Sequence, residues 1–267
     1  MGHLVAHIDS FTGMPFAGNP AAVVLLGGVV SDKWMQSIAA EMNLSETVFI
    51  QKTDSGFYLR WFTPTVEVGL CGHATLAAAY FLWNSDLVSK HEKINFGSVS
   101  GSLSARIEDG WIELDFPSDE YVSMVVSEAV LSALNLGAEQ VLYVGKRNIH
   151  GIIVEVDSAE IVRSLKPDFQ AMKKLEYEAV LVTARDISGE YDFVSRFFGP
   201  NIGMDEDPVT GAAHTCLGPY WASKLGKNEF RAYQASKRGG ELKLKVEGAR
   251  TKLFGQAVLI SRGEILI

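Results

Sequence analysis

Arg60-Trp61-Phe62-Thr63-Pro64 and Arg196-Phe197-Phe198-Gly199-Pro200 spell the same R-x-F-x-P phrase twice, about half the chain apart. Each phrase is followed by acidic residues, a glycine and small residues that lead into an apolar stretch. The first copy runs through Glu67 to Cys71-Gly72-His73-Ala74-Thr75, and the second through Glu206-Asp207 to Thr210-Gly211-Ala212-Ala213-His214. A repeat of this length predicts two related lobes. In each, the glycine would open a helix whose first amides lack partners and carry partial positive charge. Glycine lets a ligand approach that backbone closely. Two such ends facing one pocket would hold an anion, most simply a carboxylate. One glycine alone would be read as a packing residue; its repetition favours the anion site. No G-x-x-x-x-G-K-[ST] pattern occurs, so neither turn is a phosphate loop.

Composition bounds what the two lobes can do. The chain has 267 residues, 47% hydrophobic and 21% charged, enough for one large core or two modest ones. Its net charge of −8 weighs against nucleic acid, whose phosphates call for lysine and arginine. Lys237-Arg238 reads as solvated surface. The two cysteines, Cys71 and Cys216, form no C-x-x-C pair, so no redox or metal motif is expected. His3, His7, His91 and His150 show no ligand spacing. Met1 to Asp9 lacks a charged start followed by an apolar run, and Ala21 to Val30 is too short to span a bilayer. The expectation is a reduced, cytoplasmic protein with no membrane partner, no metal and no cofactor.

Hydrophobic periodicity predicts an α+β protein. Strands are expected at Leu4 to Ile8, Ala22 to Leu26, Thr47 to Gln51 and Gly56 to Phe62. Ser31 or Asp32 would cap a helix through Met42, with Trp34, Ile38 and Met42 on its apolar face and Asn43 as its stop. The stretch from Ala74 to Trp83 is apolar nearly all round and belongs inside the protein. Leu103 to Ile107 and Ile112 to Phe116 alternate about Asp109-Gly110, a hairpin signature. Pro117 to Tyr121 reads as a linker between lobes 1–117 and 118–254. In the second half Ser127 would cap a helix through Leu134, stopped by Asn135. Strands follow at Val141 to Val144, Ile152 to Val156 and Val180 to Ala184, with a helix near Asp168 to Leu175. A helix from Gly211 to about Leu225 should be kinked or shortened by Pro219. Leu242 to Val246 and Ala257 to Ile260 complete the strands. Strands and helices do not alternate, so a doubly wound parallel sheet is not expected.

Four side chains near these features could carry chemistry. Glu46 enters an apolar strand after a helix stop; a partly desolvated carboxylate there suits proton transfer, and an exposed strand-start glutamate is the simpler reading. His73 sits at a helix start, as acid, base or orienting group, or as a structural cap-region histidine. Asp207 precedes Pro208 and approaches Gly211; it could serve the pocket or simply the turn. Cys71 lies where a helix end favours a thiolate. Cys216 falls inside a predicted helix and reads as core.

Taken together, these segments resemble the PhzF family, the phenazine-biosynthesis-like isomerases. The resemblance is carried by Asp9-Ser10-Phe11-Thr12, Phe16-Ala17-Gly18-Asn19-Pro20-Ala21-Ala22-Val23 and Met42-Asn43-Leu44-Ser45-Glu46-Thr47-Val48-Phe49. It continues through both R-x-F-x-P segments to Arg238-Gly239-Gly240-Glu241-Leu242. It implies a diaminopimelate-epimerase-like fold of two pseudo-symmetric lobes, each a curled sheet around a central helix, with the active site in the cleft between them. The last strand, about 255–267, would rejoin the first lobe. Family members are commonly homodimers. By motif position the family's proton-transferring glutamate is Glu46, its pocket histidine His73 and its pocket aspartate Asp207. Amides near Gly72, Gly211 and Ala212 would hold the substrate carboxylate, and Asn19 and Ser45 would line the pocket.

Two departures qualify the resemblance. Ala212 stands where the phenazine enzyme has serine, so a hydroxyl that could touch substrate is missing. Among the two-thiol epimerases that share the fold, Cys71 matches one catalytic thiol and Ala213 the position of the other. The expected activity is a cofactor-independent isomerase moving a proton between carbons of a small carboxylate-bearing metabolite. The alternatives are a racemase with Cys71 opposite Glu46 and a metabolite-binding protein that has kept the pocket without turnover.

Overall fold

In a computed structural model the protein is described over residues 2–54, 56–148 and 151–267; His150 lies outside them. The chain divides into two compact units, Met1–Phe116 with Lys252–Ile267, and Pro117–Thr251. The first contains β1 (His3–Ser10), β2 (Asn19–Leu25), α1 (Asp32–Met42), β3 (Glu46–Thr53), β4 (Gly56–Phe62), β5 (Glu67–Val68), α2 (Gly72–Asn84), β6 (Ile94–Ser98), β7 (Gly101–Glu108) and β8 (Trp111–Pro117). The second contains β9 (Tyr121–Ser123), α3 (Glu128–Leu134), β10 (Val141–Arg147), β11 (Gly151–Val156), α4 (Ala159–Ser164), α5 (Phe169–Met172), β12 (Ala179–Arg185), β13 (Phe193–Gly199), β14 (Met204–Asp207), α6 (Gly211–Leu225), β15 (Glu229–Gln234) and β16 (Gly240–Glu247). Along the chain, β17 (Arg250–Gly255) leads back from the second unit to the first, and β18 (Ala257–Ile265) ends it.

The units share one pairing pattern. In the first, β18, β1 and β2 pair antiparallel, β2 and β3 parallel, β3 and β4 antiparallel, β4 and β6 parallel, and β6 and β7 antiparallel. In the second, β9, β10 and β11 pair antiparallel, β11 and β12 parallel, β12 and β13 antiparallel, β13 and β15 parallel, and β15 and β16 antiparallel. The short strands β5 and β14 fold back on β4 and β13. The R-x-F repeat now has a physical meaning. Arg60 makes a two-pronged ion pair with Glu67 at 2.7 Å, and Arg196 does the same with Glu206 at 2.7 and 2.9 Å. Each guanidinium lies over the phenylalanine two residues on, Phe62 at 5.2 Å and Phe198 at 4.8 Å. The clamp fixes the hairpin that delivers the chain to the glycine-opened helix.

The helices follow their caps. Ser31 and Ser127 accept from the amides of Trp34 and Val130, and Asn43 and Asn135 end α1 and α3 in the left-handed conformation. The buried face of α1 is Met35, Ile38 and Ala39 rather than Trp34, Ile38 and Met42. Trp34 stays at the margin, tilted over His3 at 4.7 Å and edge-on to Phe49 at 6.2 Å. Helix α2 is buried all round, from His73 to Ala79 and from Phe81 to Trp83, and packs on β1, β2, β3 and β18. Its alanines let those strands come close. The hairpin turn has positive φ at Asp109 (49°) and Gly110 (78°), as a two-residue turn between twisted strands requires.

Pro219 neither shortens nor ends α6, which runs unbroken to Leu225. A proline leaves the carbonyl four residues earlier without its helical donor. Here that carbonyl, on Thr215, accepts the Asp119 amide at 3.1 Å. The helix near Asp168 is also shorter than expected, ending at Met172, and the stretch read as a linker gives its ends to β8 and β9. Among the described residues no helix is long and apolar enough to cross a membrane.

Candidate active site

In the first unit three chain segments bring five side chains together. The loop after β1 holds Phe11, Phe16 and Gly18 at φ of 61°, 68° and 67°. A Cβ on Gly18 would sit 2.1 Å from the Ser10 carbonyl oxygen, so only glycine fits before Asn19. Asp9 steadies the loop by accepting the Phe16 amide at 2.8 Å. Asn43 turns the chain out of α1 and through Ser45 into β3, whose first residue, Glu46, pairs with Ala21 of β2. Cys71 caps α2, and His73 lies in its first turn.

His73 is the hub. Its Nε2 lies 3.2 Å from Glu46 Oε2 and 3.3 Å from Ser45 Oγ. Its Nδ1 lies 3.1 Å from Asn19 Nδ2 and 3.4 Å from Cys71 Sγ. Ser45 also donates to Asn19 Oδ1 at 2.9 Å. The Ser10 hydroxyl donates to the His73 carbonyl at 2.8 Å, tying β1 to the helix start. Burial lowers the His73 pKa to about 3, so the ring is neutral at physiological pH. The Glu46 side chain keeps 12% of its surface exposed, while Asn19 is fully buried. Ligand atoms of Glu46, Cys71 and His73 lie within 4.8 Å of one another. Glu46 and Cys71, however, face opposite ring nitrogens, which is poor geometry for one metal ion held by all three.

In the second unit the corresponding helix start is built on a polar loop. Asp207 ends β14, and the Thr210 hydroxyl donates to its carboxylate. Gln234, fully buried at the end of β15, accepts the Thr210 amide at 2.8 Å and donates to the Asp207 carbonyl at 2.7 Å. His214 Nδ1 lies 2.8 Å from the Thr210 carbonyl, and its Nε2 3.4 Å from Ser195 Oγ. Burial above all, with the Arg147 charge acting the same way, lowers the His214 pKa to about 4. Gly211 is buried and Ala212 exposed. The N-cap side chains Cys71 and Thr210 make no capping hydrogen bond to their own helices. Within the repeat, Thr210 precedes Gly211 as Cys71 precedes Gly72, each the N-cap of its helix.

A sequence profile described as phenazine biosynthesis-like protein matches residues 8–263. The chain belongs to the PhzF family. A curated relative from Halalkalibacterium halodurans, described as an uncharacterized isomerase, is 49% identical over 261 residues and 97% of each chain. A crystal structure of a PhzF-family phenazine biosynthesis protein from Enterococcus faecalis superposes with a TM-score of 0.93 at 37% identity, covering 100% of both chains. A hydroxyproline epimerase from Agrobacterium vitis, solved with trans-4-hydroxy-L-proline, shares the fold with a TM-score of 0.66 at 9% identity. It covers 99% of this chain and 92% of its own.

This PhzF-family chain gathers Asn19, Ser45, Glu46, Cys71 and His73 in one cluster and Asp207, Thr210, Gly211 and Ala212 in another. The sequence reading missed Gln234 and Arg147. Arg147 is buried, pairs with Asp119 at 2.8 Å and donates to the Ala212 carbonyl at 3.0 Å. Lys146-Arg147 looks like ordinary surface charge, and Gln234 sits in a strand with two charged residues. Neither offered a local signal.

Proposed function

We propose that the chain is a cofactor-independent isomerase that moves a proton between carbons of a small carboxylate-bearing metabolite. Glu46 removes the proton and returns it at a second carbon. The observation that carries this reading is the Glu46 carboxylate, partly exposed and 3.2 Å from a buried, neutral imidazole. A neutral His73 orients Glu46 without taking its proton. The family resemblance supports roles for the amides that open α2 at Gly72 and α6 at Gly211 and Ala212 in binding anionic substrate groups, and for Asp207 in positioning the substrate. Ala212 offers no hydroxyl where the phenazine enzyme has serine, which weighs against the same substrate. The family resemblance also supports a homodimer, which sedimentation of the purified chain tests.

The experiment is a panel of small carboxylic and amino acids incubated in heavy water with the wild-type chain and with Glu46→Gln. General acid–base catalysis contributes roughly 10²–10⁴-fold, so exchange into a reactive acid should fall by about that factor in the variant. Exchange that survives Glu46→Gln at the wild-type rate overturns the mechanism.

A further inference from the structure

We infer that Asn19 is a positioning residue that keeps Nδ1 of His73 unprotonated, so that the single ring proton stays on Nε2, facing Glu46. The hydrogen-bond directions assign themselves. The oxygen of the Asn19 amide can only accept, so the Ser45 hydroxyl at 2.9 Å is the donor to it. That leaves the Asn19 amino group turned toward His73 Nδ1 at 3.1 Å. An amide NH₂ only donates, so Nδ1 must be the acceptor. The second neighbour of Nδ1, the Cys71 thiol at 3.4 Å, can donate as well.

The other side of the ring agrees with this. Ser45 has one proton, and two groups that can only accept, Asn19 Oδ1 at 2.9 Å and the Pro20 carbonyl at 3.1 Å, compete for it. Toward Nε2 the hydroxyl can therefore only accept. Glu46 Oε2, at 3.2 Å, is also an acceptor. Nε2 is then the donor, bonded to Ser45 Oγ at 3.3 Å, with the Glu46 carboxylate beside it at 3.2 Å. Asn19 is fully buried and acts on the site through His73 and Ser45.

The consequence bears on the proposed proton transfer, and for that consequence alone it rests on that reading. A base that must return its proton to carbon cannot sit beside a second base that would keep it. Protonating His73 would require both ring nitrogens to donate, and the Asn19 amino group at Nδ1 opposes this.

The test needs no substrate. With ¹⁵N-labelled histidine, two-bond proton–nitrogen correlations at neutral pH report which ring nitrogen of His73 carries the proton. The wild-type chain is expected to show neutral His73 protonated at Nε2. Glu46→Gln should show the same, because Asn19 remains. Asn19→Asp replaces the donor with an acceptor of the same size and should place a proton on Nδ1. Asn19→Leu combined with Glu46→Gln should leave a mixture of the two neutral forms. A wild-type ring protonated at Nδ1, loss of the Nε2–H form in Glu46→Gln, or an unchanged ring in Asn19→Asp overturns the inference. If the buried aspartate prevents folding, the wild-type and Glu46→Gln spectra decide it. These outcomes stand apart from heavy-water exchange, so this inference and the proposed activity can fail separately.

Discussion

Arg147 donates from Nη2 to the carbonyl of Ala212 at 3.0 Å, in the first turn of α6. The first unit does the same thing with a neutral group, Ser10 donating to the carbonyl of His73 at 2.8 Å. In both cases the last residue of a strand grips the second residue of a glycine-opened helix. Only the second unit uses a charge, and it balances that charge with Asp119. Both side chains are 3% exposed. Removing one partner of a buried pair costs about 3–5 kcal/mol, because the other charge is stranded. Arg147→Met should therefore lower stability by about that amount in chemical denaturation, and Asp119→Asn in the same chain should restore part of it. A loss below about 1 kcal/mol would show that water reaches Asp119.

Pro219 should be tolerated better than its place in α6 suggests. Proline in a helix interior costs about 3 kcal/mol relative to alanine, partly through the carbonyl it leaves unpaired. In this chain the Asp119 amide fills that vacancy on Thr215. Pro219→Ala should then raise stability by less than about 1.5 kcal/mol, half the usual figure. A gain near the full amount, measured by urea denaturation, would mean that the Asp119 bond contributes little.

That substitute donor illustrates where sequence reading reaches its limit. Ser31, Asn43, Ser127, Asn135 and Asp109-Gly110 were legible because a cap or a turn is set within a few residues. The buried length of α2 was legible from its unbroken apolar run. Glu46, His73 and Asp207 were marked by motif, yet nothing local says that Asn19 and Ser45 would enclose His73. Those contacts span 54 and 28 residues. β15 was missed because its inward side ends in Gln234, a polar residue buried only to hold the Asp207–Thr210 loop. Arg147 was missed because its partner lies 28 residues away.

Acid should unfold the chain through its buried histidines. The His214 pKa falls to about 4 in the fold, against an ordinary value of 6.5. The unfolded chain therefore binds a proton that the folded chain refuses. The neutral form's contribution is complete above about pH 6.5 and declines as pH falls toward 4. Over that window the loss is on the order of 3 kcal/mol for His214 alone, and His73, lowered to about 3, adds to it. Denaturation midpoints measured from pH 7 to pH 4 should fall steadily, and His214→Gln should flatten the upper part of the curve. A midpoint that holds level to pH 4 would contradict the buried, neutral assignment.

Cys71→Ser separates the proposed isomerase from a racemase with unlike bases. Cys71 and Glu46 stand on opposite sides of the His73 ring, with Sγ at 3.4 Å from Nδ1 and Oε2 at 3.2 Å from Nε2. If Glu46 alone moves the proton, the thiol is a hydrogen-bonding neighbour of the imidazole. A serine hydroxyl can donate to Nδ1 in its place, so heavy-water exchange should stay within about tenfold of wild type. If Cys71 is instead the second base, serine cannot form the corresponding anion near neutral pH. Loss of a positioned base then costs roughly 10²–10⁴-fold. The position of the incorporated deuterium provides a second readout. Label at a new carbon with a shifted double bond supports the isomerase, and label at a stereocentre with the bonding unchanged supports the racemase. A severe loss in Cys71→Ser together with stereocentre labelling would overturn the assignment of Glu46 as the sole proton carrier.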